Sequence, residues 1–91
     1  MYLAKVIGTV VSTNRNDQLT GMKLLMIKRL DQDLNGIDDE VEVAVDAIGA
    51  GVGELVIVCR GGSARVAFRD RQVPIDATII EIVDIVEVKD G

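Results

Sequence analysis

An all-β fold, a small barrel of five strands with one short helix, is what this sequence predicts. Three observations carry that expectation. Runs rich in valine and isoleucine recur at strand length, each bounded by glycine, asparagine, aspartate or proline. Residues 46–65 concentrate glycines, at 49, 51, 53, 61 and 62, around a short apolar run at 55–59. Aromatic residues make up only 2% of the chain, Tyr2 and Phe68, so the core must be aliphatic.

Residues 3–12 are β-branched enough to read as a first strand, and Gly8 in their middle marks a bend or bulge. A polar turn follows at 13–17. The segment 21–30 has a periodicity that alone fits helix or strand; turns on both flanks and strand neighbours favour a second strand. Residues 31–40 form an acidic loop, with Asn35-Gly36 as the hairpin turn. Valine and alanine alternate with acidic residues over 41–45, the third strand. Gly49, Gly51 and Gly53 then serve either positive φ angles or close backbone approach.

The run at 54–59 is short, β-branched and flanked by glycine, which predicts a buried fourth strand ended by Gly61-Gly62. Ser63 stands as an N-cap ahead of a single helical turn at 64–68. A charged connector, 69–73, ends at Pro74, with Asp76 as a turn residue. In the last segment, 78–88, acidic residues at 81, 84 and 87 would line one face of a helix. Ile79, Ile80, Ile82, Val83, Ile85, Val86 and Val88 argue instead for a long strand. Such a strand carries apolar side chains on both faces, so a helix or a neighbouring subunit must cover the second. One short helix is too little, and an oligomer is expected. No repeat or linker divides the chain, and a single domain, 1–91, in the form of an OB-like barrel fits five short strands and one helical turn.

Composition narrows the function. A formal net charge of −5 disfavours a nucleic-acid partner, and two aromatic residues cannot supply base-stacking platforms. No apolar segment reaches membrane-spanning length and no basic start leads into one, so neither membrane insertion nor secretion is expected. A lone cysteine, Cys59, inside an apolar run reads as inert packing in a reduced, cytoplasmic setting.

Catalytic chemistry has little to work with. The chain has no histidine, so Ser12 and Ser63 lack that base, and nothing near Cys59 would activate it. No enzyme and no cofactor are expected. The glycines at 49–53 lack the following Lys-Ser/Thr and helix that a phosphate cradle needs. Residues 31–42 do satisfy the calcium-loop pattern, with Asp31, Asp33, Asn35 and Glu42 as oxygen ligands. That loop works between helices, however, and here a strand follows it. An acidic hairpin is the preferred reading.

Six stretches carry a resemblance to a known family. They are Leu3-Ala-Lys-Val-Ile-Gly-Thr-Val-Val-Ser-Thr13, Gly21-Met-Lys-Leu-Leu25, Val45-Asp-Ala-Ile-Gly-Ala-Gly-Val-Gly-Glu54, Gly62-Ser-Ala-Arg65, Pro74-Ile-Asp-Ala77 and Ile80-Glu-Ile-Val-Asp84. Together they resemble the EutN/CcmL family of bacterial microcompartment shell proteins. The resemblance implies an OB-like barrel assembled as a homopentamer that caps the vertices of a shell otherwise tiled by hexamer-forming proteins. It places Asp46, Gly49, Ala50, Gly51, Gly53, Glu54, Ser63, Ala64 and Arg65 at or near subunit contacts, with Arg65 bonded across to Glu54 or Asp46. The loop at 31–40 lies in a variable part of the family. The expected function is therefore a structural shell vertex protein, with an OB-like module binding calcium or a small ligand as the alternative.

Overall fold

A computed structural model describes residues 1–11, 22–37, 40–61 and 76–89. Five strands form: β1 (Tyr2–Val10), β2 (Lys23–Arg29), β3 (Glu42–Asp46), β4 (Leu55–Arg60) and β5 (Ala77–Val83). They close into a barrel in the order β1-β2-β3-β5-β4, with β4 pairing back onto β1. Every pairing is antiparallel except β3 with β5. Closure matters for a chain this short, because it removes the free sheet edges that would otherwise template aggregation.

Alternation decides which side chains fill the bore. Ala4 and Val6, Leu25 and Ile27, Ala44, Val56 and Val58, and Ile79 are buried and share the inward face of their strands. Cross-strand neighbours match large with small, Leu25 opposite Ala44 and Val56 opposite Ala4. A five-stranded bore is narrow, and such pairing fills it without a ring.

The register slips twice. On β1 the shift lies between Val6 and Gly8, where a bend was expected. A Cβ on Gly8 would sit 3.4 Å from the Met26 sulfur, its cross-strand neighbour. The second slip, at Ile57 and Val58, leaves Ile80 unopposed on β5. Ile79 before it and Ile82 after it therefore both face the core.

Two expectations need correction. The turn after β2 is not at Asn35-Gly36. Instead the Leu34 N–H donates to the Asp31 carbonyl (3.0 Å), and the Asp31 N–H donates to the Asn35 carbonyl (2.8 Å). Leu34 is left-handed, with φ at 64°. The Asp31 carboxylate accepts the N–H groups of Asp33 and Asn35, at 2.9 and 3.0 Å, and so fixes the turn earlier in the loop. Gly36 then pairs with Leu30, where a Cβ would meet Lys28 Cε at 2.8 Å.

The last strand also stops at Val83, not at residue 88. Its partner β4 begins at Leu55, opposite Val83, so no ladder extends further. Ala77, Thr78 and Ile79 are buried, which covers both faces where the strand begins. Beyond Val83 the chain leaves the sheet with Ile85 80% exposed and Val88 59% exposed.

The helical turn expected at 64–68, the turn at 13–17 and Pro74 lie outside the described residues. Among the described residues there is no helix, and so none long and apolar enough to cross a membrane.

Leu25 is completely buried in the bore. Replacing it by alanine should lower subunit stability by about 2–5 kcal/mol through lost apolar contact and a residual cavity. Urea unfolding followed by circular dichroism measures this directly.

Candidate assembly site at the glycine turn

Residues 46–54 fold back over one end of the barrel. Asp46 closes β3, and its Oδ1 accepts the N–H groups of Ile48 and Gly49, both at 3.1 Å. Its side chain is only 1% exposed, and Oδ2 lies 3.9 Å from Lys23 Nζ. Lys23 also donates to the Ala50 carbonyl at 2.6 Å. Ala50 is fully buried and belongs to the core cluster. One lysine and one aspartate thus hold a methyl-sized plug against the apolar bore.

The second half of the turn is stitched to β1. Gly53 donates to the Val6 carbonyl at 2.8 Å, and Val6 donates to that of Glu54 at 3.0 Å. The Glu54 carboxylate reaches back to accept the Gly51 N–H at 2.6 Å, while the Glu54 N–H donates to the Gly51 carbonyl at 3.2 Å. Gly49 and Gly53 have φ of 88° and 92°, and nothing lies within 4 Å of where a Cβ would stand on either. Within one subunit these glycines serve conformation, not crowding. At Gly51 a Cβ would stand 3.3 Å from the Glu54 carboxylate.

The structure therefore brings six expected site residues, Asp46, Gly49, Ala50, Gly51, Gly53 and Glu54, into one turn. Ser63, Ala64 and Arg65 lie outside the described residues. Both acidic side chains act on their own backbone, and what the turn offers to solvent is apolar. Ile48 is exposed, and Val52 is 61% exposed.

A second polar cluster closes the opposite end, and sequence reading had not found it. Tyr2 donates to Glu42 Oε2 at 2.7 Å, and Arg60 Nε donates to the same oxygen at 3.1 Å. Arg60 Nη2 forms an ion pair with it as well. The Arg29 and Arg60 guanidinium carbons lie 4.6 and 5.7 Å from the Tyr2 ring centre. Each residue continues the inward parity of its strand: Tyr2 with Ala4, Arg29 with Ile27, Glu42 with Ala44, Arg60 with Val58. The signal available in the sequence was that the inward series of β1, β2, β3 and β4 each end, at this mouth, in a polar or charged residue.

This cap perturbs its members. Burial, then the bond to Glu42, push the Tyr2 phenol up to about 12. Burial opposes ionisation of Glu42, but the bonds from Tyr2 and Arg60 outweigh it and hold the carboxyl below the usual range. The bond to Glu42, then that to Tyr2, raise Arg60. These engagements also bear on the calcium pattern. Asp31 is bonded to the Asp33 and Asn35 backbone, and the Glu42 oxygen is held by Tyr2 and Arg60. Among the described residues, no group of three or more histidine, cysteine, aspartate or glutamate side chains is placed to hold a metal ion.

Because the chain has one tyrosine and no tryptophan, phenolate absorbance reports Tyr2 alone. The folded protein should titrate near 12, and the urea-unfolded chain near 10.0. A raised folded value means this contribution to stability is full below pH 10.0 and is lost as pH climbs toward 12. Glu42 behaves oppositely: its contribution is present above 4.5 and is lost as pH falls through its lower folded value. In Glu42→Gln the Tyr2 midpoint should drop, yet stay above 10.0 because burial persists. A folded wild type titrating at 10.0 would mean that the cap is not formed.

Known proteins resemble this chain over nearly its whole length. The family described as "Ethanolamine utilisation protein EutN/carboxysome" matches residues 1–84. The bacterial microcompartment shell vertex protein GrpN of Rhodospirillum rubrum is 52% identical over 87 residues, which span 96% of this chain and 97% of that one. The carboxysome shell vertex protein CcmL of a Synechocystis species is 45% identical over 91 residues, 100% of this chain and 90% of its own. Among solved structures, the GrpN pentameric microcompartment shell protein from Rhodospirillum rubrum superposes with a TM-score of 0.87 at 50% identity, covering 98% of this chain and 100% of that one. With its closed five-stranded barrel and glycine turn, this chain belongs to the EutN/CcmL family.

Proposed function

We propose that five copies of this chain close into a ring that caps a vertex of a bacterial microcompartment shell. The role is structural and not catalytic. The observation that carries this reading is the likeness, at half the residues identical and over almost the full length, to a shell protein solved as a pentamer. A flat hexagonal layer cannot close without fivefold positions, and a head-to-tail ring of identical subunits supplies one. In this reading residues 1–91 act as one domain, the neighbours are hexamer-forming shell proteins, and the assembly lies in the cytoplasm as part of the shell.

The subunit contact is assigned to Asp46, Gly49, Ala50, Gly51, Gly53 and Glu54, together with Ser63, Ala64 and Arg65. The geometry of the first six supports this. Asp46 and Glu54 stiffen the turn from within, so little flexibility is left to lose when a neighbour packs on it. Ile48 and Val52 project from that stiffened turn as apolar contacts. The nearly absent side chains at 49, 51 and 53 leave the backbone open to close approach by another subunit.

Native mass spectrometry of the wild type should give five copies. Val52→Asp should shift that distribution to smaller species while the circular dichroism spectrum of the barrel is unchanged; an intact pentamer would move the contact elsewhere. Gly51→Val should weaken the ring by displacing the Glu54 carboxylate from the Gly51 N–H and loosening the turn. Assembly equal to wild type would remove this turn from the interface.

A further inference from the structure

The outward face of β1 carries Leu3, Lys5 and Ile7, and Lys5 stands directly opposite Lys28 of β2. Like charges at opposed positions of an antiparallel pair repel. Neither lysine forms a salt bridge with a described residue, although the chain carries a net −5. Around them the surface is apolar. Ile7 is exposed, and Leu55, the β4 partner of Lys5, is half-buried. Two adjacent cations in a greasy setting are suited to an acidic, apolar peptide.

The chain contains such a peptide. After Val83 the backbone leaves the barrel as Asp84-Ile85-Val86-Glu87-Val88, mostly exposed and without strand pairing. In an extended conformation Ile85 and Glu87 share one side, and Asp84, Val86 and Val88 the other, so either side offers a carboxylate and an apolar contact. Five extended residues span about 17 Å, enough to cross roughly three strands spaced at about 4.8 Å. The segment does not use its own lysines. The cross-strand row Lys28, Lys5, Leu55, Val83 brings it within two strands of Lys5, yet no ion pair joins Lys5 to Asp84 or Glu87. It also leaves the barrel beside the glycine turn, since Val83 is paired with Leu55 and Leu55 follows Glu54. It is thus continuous with the contact already assigned to the ring.

We propose that residues 84–88 form a strap that lies across the outward face of β1 and β2 of the adjacent subunit. The side that carries Asp84, Val86 and Val88 faces the seat, so that Asp84 meets Lys5 and Lys28 and the valines cover Ile7. Glu87, on the opposite side, adds to the attraction at longer range. This rests on the ring reading and names the partner surface for a segment that the barrel leaves uncovered. A head-to-tail ring requires each subunit to present two different, complementary patches, and a strap and its basic seat are such a pair.

Charge exchange tests it. Lys5→Glu/Lys28→Glu and Asp84→Lys/Glu87→Lys should each raise the concentration at which the pentamer dissociates by about tenfold, as expected when attraction between close pairs becomes repulsion. Combining all four changes should restore it to within about threefold of wild type, with circular dichroism confirming folded barrels throughout. Separately, Ile7→Cys/Val88→Cys under oxidation should give a covalent ladder reaching five subunits on a denaturing gel. An intrachain disulfide alone, or no disulfide, overturns the strap. If the wild type is pentameric but the charge variants dissociate as it does, the strap is wrong and the ring stands. A wild type that is not five-membered removes both.

Discussion

The bore of this barrel is lined by alanine, valine, leucine and isoleucine, and it holds only if both of its open ends are closed. A narrow aliphatic tube has too little volume to tolerate water at its mouths. Lys23 and Asp46 draw Ala50 over one mouth, and Tyr2, Glu42 and Arg60 draw together over the other. Each closure ties elements distant in sequence. Tyr2 and Glu42 lie 40 residues apart, and Lys23 and Ala50 lie 27 apart. Polar groups at the mouths thus do what a larger domain does with extra layers of apolar side chains.

The same economy explains why the candidate assembly surface looks as it does. Asp46 and Glu54 would read, in isolation, as charges awaiting a partner. In the fold they are backbone caps that give the glycine turn one shape. Positive φ at Gly49 and Gly53 completes that shape without placing bulk on its outer side. The result is a rigid, nearly bare stretch of main chain carrying Ile48 and Val52, while the charges that built it point inward. Rigidity and bareness together suit such a turn to close packing by another chain.

Most of the strand architecture was legible because its cause is local. β-branched runs between turn residues located all five strands, and Gly8 marked the bulge in the first. What was not legible depended on partners. The end of β5 follows from where β4 begins, so a β-branched run to Val88 says nothing about it. The turn at 31–34 is set by one carboxylate choosing two backbone N–H groups over the more familiar Asn-Gly signal. The Tyr2–Glu42–Arg60 cap depends on closure, which brings the first strand beside the fourth; no spacing in the chain encodes that meeting. For the glycine turn, the residues were readable but their division of labour was not.

Closure through β1 and β4 also sets an order in time. The first strand hydrogen-bonds β2 on one side, while its other side waits for residues 55–58. During synthesis, one edge of the opening strand therefore stays unsatisfied until more than half of the polypeptide has emerged. The parallel contact between β3 and β5 comes later still, across the long connection that precedes Ala77. Such non-local pairing is slow to form. Nascent chains emerging side by side on one message would each display that unpaired edge, so the interval before the barrel shuts is when strand exchange between siblings competes with correct folding.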